Sequence, residues 1–233
     1  MVEMSPGQAR EFWKALMDNA SSLIADARTL LSAKSYGRAR SLTVLAQEEL
    51  GKALWINDTF QDDWSCGRET PRVVDALAQH GRNHTKKYLE AMVFGDGLAE
   101  FWGDYSRWDT GAGFEGWQQA HRARMAEAEA AAKEANAEKQ RGFYVDRDAS
   151  GAVSSPTGVP AGTTAEDLQT AAQVIEMLLI TDHSRMKTST APYDSTHAQQ
   201  FRLLPISHPE DWAAAADALN PSAEDDSQEP QER

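Results

Sequence analysis

Cysteine is almost missing from this chain: Cys66 stands alone among 233 residues. No intrachain disulfide can form and no cysteine cluster can hold zinc, which fits a reducing compartment. Long apolar runs are missing too. No window approaches the ~18 apolar residues that read as a membrane span, and the opening MVEMSPGQAREFW has no basic segment followed by an apolar one. The expectation is a soluble, cytoplasmic, unprocessed protein with no membrane partner. Positive charge is scarce, 23 basic side chains against 36 acidic ones giving a formal −13. That balance argues against a surface neutralising many phosphates, and so against DNA, while leaving room for a small local basic site. Common catalytic signatures are absent as well. Gly51 and Lys52 lack the rest of a phosphate-binding loop, with Ala53 where a hydroxyl is needed, and neither HExxH nor GxSxG occurs. The two Glu-x-x-His pairs of a di-iron bundle are also missing.

What is present is helical periodicity. At this length, and 41% hydrophobic, the chain can bury one core. Ser5 and Pro6 signal a helix start, and Phe12, Leu16, Ala20, Leu23, Ala27 and Leu30 follow at three- and four-residue spacing. The spacing predicts a helix from Ser5 to Ala33, then a short linker with Ser35 as N-cap and an antiparallel second helix to Phe60. Thr70 and Pro71 predict the start of a third helix reaching Phe94. The Gly- and Trp-rich connection that follows suggests a short helix over Leu98–Tyr105, with Trp102, Trp108 and Trp117 anchoring it to the core rather than stacking bases. An Ala-, Glu- and Lys-rich run predicts a long helix over Phe114–Gln140. Phe143–Val153 suggests a small β-hairpin, and Thr164–Met186 a last core helix. The domain expected is 5–190, followed by an extension over 191–220 with one short helix at Pro209–Leu219 and a disordered acidic tail over 221–233. The fold class is all-α, an antiparallel bundle of four to five core helices.

Glu49 falls at the centre of the second helix's apolar stripe, among Leu42, Leu45, Ala46, Ala53, Ile56 and Phe60, with Lys52 at its edge. A lone ionised carboxylate in a core is costly, so Glu49 calls for a cation from another helix. On the third helix His84 falls at the stripe's centre, His80 one turn earlier and Lys87 three residues later at the edge. Glu49 and Lys52 facing His84 and Lys87 would make an acid–base pair with a small cationic rim; Glu48 and His80 are secondary candidates. A buried polar network that only fixes helix register is the competing reading. His80, His84 and Glu49 also make a conceivable three-ligand metal set, but helix-face histidines are more often packed or hydrogen-bonded. No metal or cofactor is expected.

SYGRARSLTVLAQEELGKALWI, followed by NHTKKY and RGFYVDRD, resembles the AbiV-type branch of the HEPN superfamily. The resemblance runs from about Arg10 to Met186, and the Glu-Glu-Leu-Gly-Lys segment is its most specific part. It implies a compact helical bundle, usually a homodimer, in a bacterial protein of antiphage abortive infection. Relatives are often metal-independent ribonuclease toxins, so an RNA substrate and a phage-encoded activator or translation component as partner are implied. One departure stands out. The usual Arg, four to six residues, His motif of such ribonucleases occurs only as Arg202 to His208, which contains Pro205 and lies beyond the core helices. Seven residues separate Arg72 from His80. A non-catalytic helical module that binds a phage protein or the translation machinery is the alternative function.

Overall fold

The computed structural model describes residues 3–106, 114–190 and 193–219. Helix α1 (Pro6–Ser32) starts at the expected place: Ser5 Oγ accepts from Gln8 N while Gln8 Oε1 accepts from Ser5 N, a reciprocal cap. It turns through Lys34, whose φ is positive, into α2 (Tyr36–Cys66), and the two pack as a hairpin. Ser35 makes no side-chain cap. The second helix runs past its predicted end at Phe60, because Trp64, one turn on, stacks on Phe60 at 6.2 Å and meets Trp13 of α1 edge-on at 6.1 Å. Gly67, in the left-handed region at φ 65°, then ends it.

The predicted third helix is not one helix, and Pro71 does not begin it. Arg72–Val73 (β2) pairs antiparallel with Glu3–Met4 (β1), a short helix α3 spans Asp75–His80, and α4 starts afresh at His84–Gly95. The local reason is Asn83, whose side chain accepts from Lys86 N at 3.1 Å and so offers the backbone a cap in place of a continued helix. His84 is thereby moved from mid-helix to a first turn.

A four-residue helix α5 (Leu98–Phe101) follows, then the long α6 (Phe114–Phe143). Strands β3 (Asp146–Arg147) and β4 (Val153–Ser154) form the expected hairpin, one turn later than Phe143 suggested. Helix α7 (Thr164–Lys187) completes the core. Helix α8 (Gln200–Ser207) was not expected; burial of Leu203 and Ile206, and Arg28 Nη1 donating to Pro205 O at 2.7 Å, hold it despite its internal proline. The short helix α9 (Pro209–Leu219) stands where predicted. The acidic tail and Trp108 lie outside the described residues, as does the side chain of Trp117. No helix among the described residues is long and apolar enough to cross a membrane.

The core is made where α1, α2 and α7 meet, with Trp13, Met17, Ile24, Leu50, Ile56, Phe60, Ile175 and Leu179 sealed from solvent. Each such side chain stabilises the fold by about 1.5–3 kcal/mol. Helices α4 and α6 close over the remaining side of α2 through a smaller cluster, Leu89 with Ala128 and Ala132. Glu48 meets His84 and Lys87 and, two turns on, Trp55 Nε1 donates to Glu90 of α4 at 2.8 Å, so α2 and α4 run in the same direction there. Their backbones nearly touch. A Cβ on Gly51 would sit 1.9 Å from the carbonyl oxygen of Lys87.

Gly51→Ala is therefore expected to lower stability by about 1–3 kcal/mol or more, since backbone must move to admit the methyl. Gly7→Ala, whose Cβ would meet nothing nearer than Ser5 Oγ at 3.9 Å, should stay within about 0.5 kcal/mol of the parent. Urea unfolding of the two variants checks the contrast.

Candidate functional site

The carboxylate at the heart of the bundle is Glu48, not Glu49. Its side chain is 2% exposed and accepts from three donors on two helices: His84 Nδ1 at 2.6 Å and Lys87 Nζ at 3.0 Å from α4, and Lys139 Nζ from α6. Lys139 comes from α6, held close because Gly142 lies against the backbone of Gly37 and Ser41 Oγ donates to Lys139 O at 2.9 Å. Burial by itself would raise the Glu48 pKa, but hydrogen bonds from Lys139, His84 and Lys87 outweigh it and hold the carboxyl below its ordinary value. Glu48 is thus an anion at neutral pH.

With an ionised partner at Nδ1, the His84 ring donates there and turns Nε2 outward. The side chain of His84 is 50% exposed, whereas Glu48, Lys87 and Lys139 are all buried. Only the imidazole reaches solvent. Two buried ammonium groups share this one carboxylate, and among the described residues neither lysine has a second carboxylate partner. The cluster therefore carries excess positive charge directly beneath His84, which favours an anion at its mouth. Arg82, exposed and two residues before His84, has no ion-pair partner among the described residues. An oriented imidazole over a cationic floor is suited to proton transfer next to a phosphate.

The other predicted pairings are corrected. Glu49 is bound within its own helix, its Oε2 2.7 Å from Lys52 Nζ, and both side chains are a little under one-fifth exposed. Lys87 is in the buried network rather than at a rim. His80 is on α3, off the α4 face that carries Lys87, and packs against Trp55 with ring centroids 6.4 Å apart. The projection misled because α2 is packed by α1, α4, α6 and α7 and has no single stripe; its Glu48 side faces α4 and α6. Lys139 was missed altogether. Its signal lay in the alanines: Ala128, Ala132 and Ala135 mark the buried face of α6, and Lys139 takes the next position on it.

His80, His84 and Glu49 are not brought together, and among the described residues no group of three His, Cys, Asp or Glu side chains is arranged to hold a metal. Arg202 and His208 turn to different helices: Arg202 Nη1 lies 3.3 Å from Asp18 Oδ1 of α1, and His208 Nε2 3.0 Å from buried Glu176 Oε2 of α7. Arg72 is bound to Asp63 at 2.8 Å.

A model of the HEPN_AbiV family, described as AbiV, matches residues 8–176. That span includes Glu48, Lys87, His84 and Lys139. No curated protein and no solved structure matches the chain.

Glu48→Gln should cost about 3–5 kcal/mol, because it leaves two ammonium groups buried without their anion. Glu49→Gln should cost less than about 1 kcal/mol, as a pair within one helix does. The pH dependence has a definite sign. The folded pKa of Glu48 is lowered from 4.5, so its stabilisation is complete above that value and is lost as pH falls through it towards the folded pKa. Thermal melts from pH 7 to pH 3 should show a drop below pH 4.5 that is shallower in Glu48→Gln.

Proposed function

The chain belongs to the AbiV family of HEPN proteins, and from that premise we propose that it is an abortive-infection effector that cleaves RNA through the Glu48–His84 pair. The observation that carries this reading is a buried carboxylate holding the one solvent-facing imidazole of the cluster at Nδ1. His84 Nε2 takes the proton of a ribose 2′-hydroxyl, the 2′-oxygen attacks the adjacent phosphorus, and the 5′-oxygen leaves with a proton from water, giving a 2′,3′-cyclic phosphate and a 5′-hydroxyl; the hydroxide left behind takes the proton back from His84. Glu48 does not touch substrate; it orients the ring and stabilises the imidazolium that forms. Lys87 and Lys139 supply positive potential from beneath. Lys52, paired with Glu49, is assigned no direct role. The working form is taken to be a homodimer, with a phage-encoded activator or a translation component as its trigger.

A second reading, a helical module that binds a phage protein or the translation machinery, draws support from one observation. Both lysines are spent on Glu48, so the cluster also serves as a staple between α2, α4 and α6.

Expression of wild type and His84→Ala in bacteria, with RNA sequenced from fragment ends, tests the first reading. Wild type should generate new ends and arrest growth; His84→Ala should reduce cleavage by about 10²-fold or more while remaining folded, with a lower melting temperature because Glu48 loses one of its three donors. Undiminished cleavage by the folded variant removes His84 from the mechanism. Growth arrest with intact RNA and a stoichiometric protein partner favours the second reading.

A further inference from the structure

Near the C-terminal end of α7, residues 193–197 lie against the helix so that three side chains meet at one point. Tyr193 Oη lies 2.8 Å from His183 Nδ1 and 3.3 Å from His197 Nδ1, and the two imidazole rings stand 4.1 Å apart between centroids. All three side chains are accessible to solvent. Their backbone is held in place by Arg10 of α1, which bonds Asp182 through both Nη1 (2.9 Å) and Nη2 (2.8 Å) and Asp194 through Nε (2.9 Å). Asp182 precedes His183 and Asp194 follows Tyr193. One guanidinium, stacked 4.5 Å over Trp13, thus pins α7 to the 193–199 turn. Asp194 Oδ1 also accepts from Thr196 N at 3.0 Å, which fixes the turn leading to His197.

We propose that His183, Tyr193 and His197 form a binding site for a borderline divalent cation, zinc being the representative ion. Two imidazoles suit such ions, and the Tyr193 phenolate would add an anionic oxygen donor where a carboxylate more often stands. The spacing fits. Donors about 2.0–2.1 Å from a tetrahedral ion stand roughly 3.3 Å from each other, and the Tyr193 oxygen lies 2.8 and 3.3 Å from the two Nδ1 atoms. Tyr193 Oη lies 3.3 and 3.5 Å from the two nitrogens of His197, so closing on the ion requires the His197 ring to rotate until one nitrogen points inward and the two imidazoles to part beyond their present 4.1 Å. As it binds, the Tyr193 hydroxyl releases its proton to solvent, the ion replaces the O–H···N hydrogen bond, and water takes the fourth position. Three donors from α7 and the following turn then tie the C-terminal extension to the bundle. The site shares no residue with the Glu48 network, so it stands or falls independently of the RNA-cleavage reading.

The test is a zinc titration by calorimetry at pH 7.5 on the full chain carrying Cys66→Ser, which removes the exposed thiol as a competing ligand. One equivalent should bind, with proton release shown by the dependence of the heat on buffer, and the melting temperature should rise with zinc concentration. His183→Ala and His197→Ala should each weaken binding by about tenfold or more, and Tyr193→Phe should weaken it and abolish the proton release. His84→Ala should bind zinc as the parent does. Absence of saturable one-equivalent binding, or undiminished binding in any one of the three site variants, overturns the three-donor site.

Discussion

One buried carboxylate organises the half of the bundle that lies beyond the α1–α2–α7 core. Glu48 takes hydrogen bonds from α4 and α6 at once, and so ties both of them to α2. Removing a carboxylate from water is expensive, and several well-placed cationic donors are needed to offset it. The geometry that allows this is set by glycine. Gly51 lets the α4 backbone approach α2 at Lys87, and Gly142 lets α6 approach at Gly37 and Ser41. With a methyl at either position the helices would stand apart, and the lysines would reach Glu48 only by stretching. The Glu-Gly pair three residues apart in Glu-Glu-Leu-Gly-Lys therefore reads as acceptor and clearance on one helix face.

The same network divides the labour among its members. Three groups are sealed in and hold one another; the fourth, His84, is turned to solvent by its position in the first turn of α4. The break at Asn83 matters for this reason. A continuous helix from Thr70 would have carried His84 in its middle, whereas the cap places it at the mouth of a cationic recess. An acidic protein can thereby offer a locally positive point without a basic surface, because charges in the interior are screened far less than those outside.

Arg10 performs a related task elsewhere, joining α1, α7 and the turn after it through two aspartates. Burial would raise the pKa of Asp194, but hydrogen bonds from Arg10 and Thr196 prevail and bring it down to about 2. The clamp lies partly beyond the residues matched by the family model, which end at 176. The C-terminal extension is thus fastened by contacts of this chain's own, including the packing of Leu203 and Ile206 into the shared core.

Periodicity and capping signals determined the helical class, the hairpin of α1 and α2, the long α6, the β3–β4 turn and the start of α7, because each rests on residues close in sequence. They also singled out His84 at the centre and Lys87 at the edge of an apolar stripe, whereas His84 is half exposed and Lys87 buried, and placed the carboxylate one residue away from the one that meets them. What only the tertiary structure decided is which neighbour each face meets. Helix α2 is enclosed on several sides, so the centre of an apolar stripe does not identify the side turned to α4 and α6, and Glu48 rather than Glu49 lies there. Lys139 joins from 91 residues away, His80 and His84 part company at a turn, and α8 survives its proline because burial outweighs local preference. Helical spacing encodes what lies on one face; the partner of that face is set by how closely backbones approach, and at Gly51 and Gly142 that distance is fixed by the absence of a side chain.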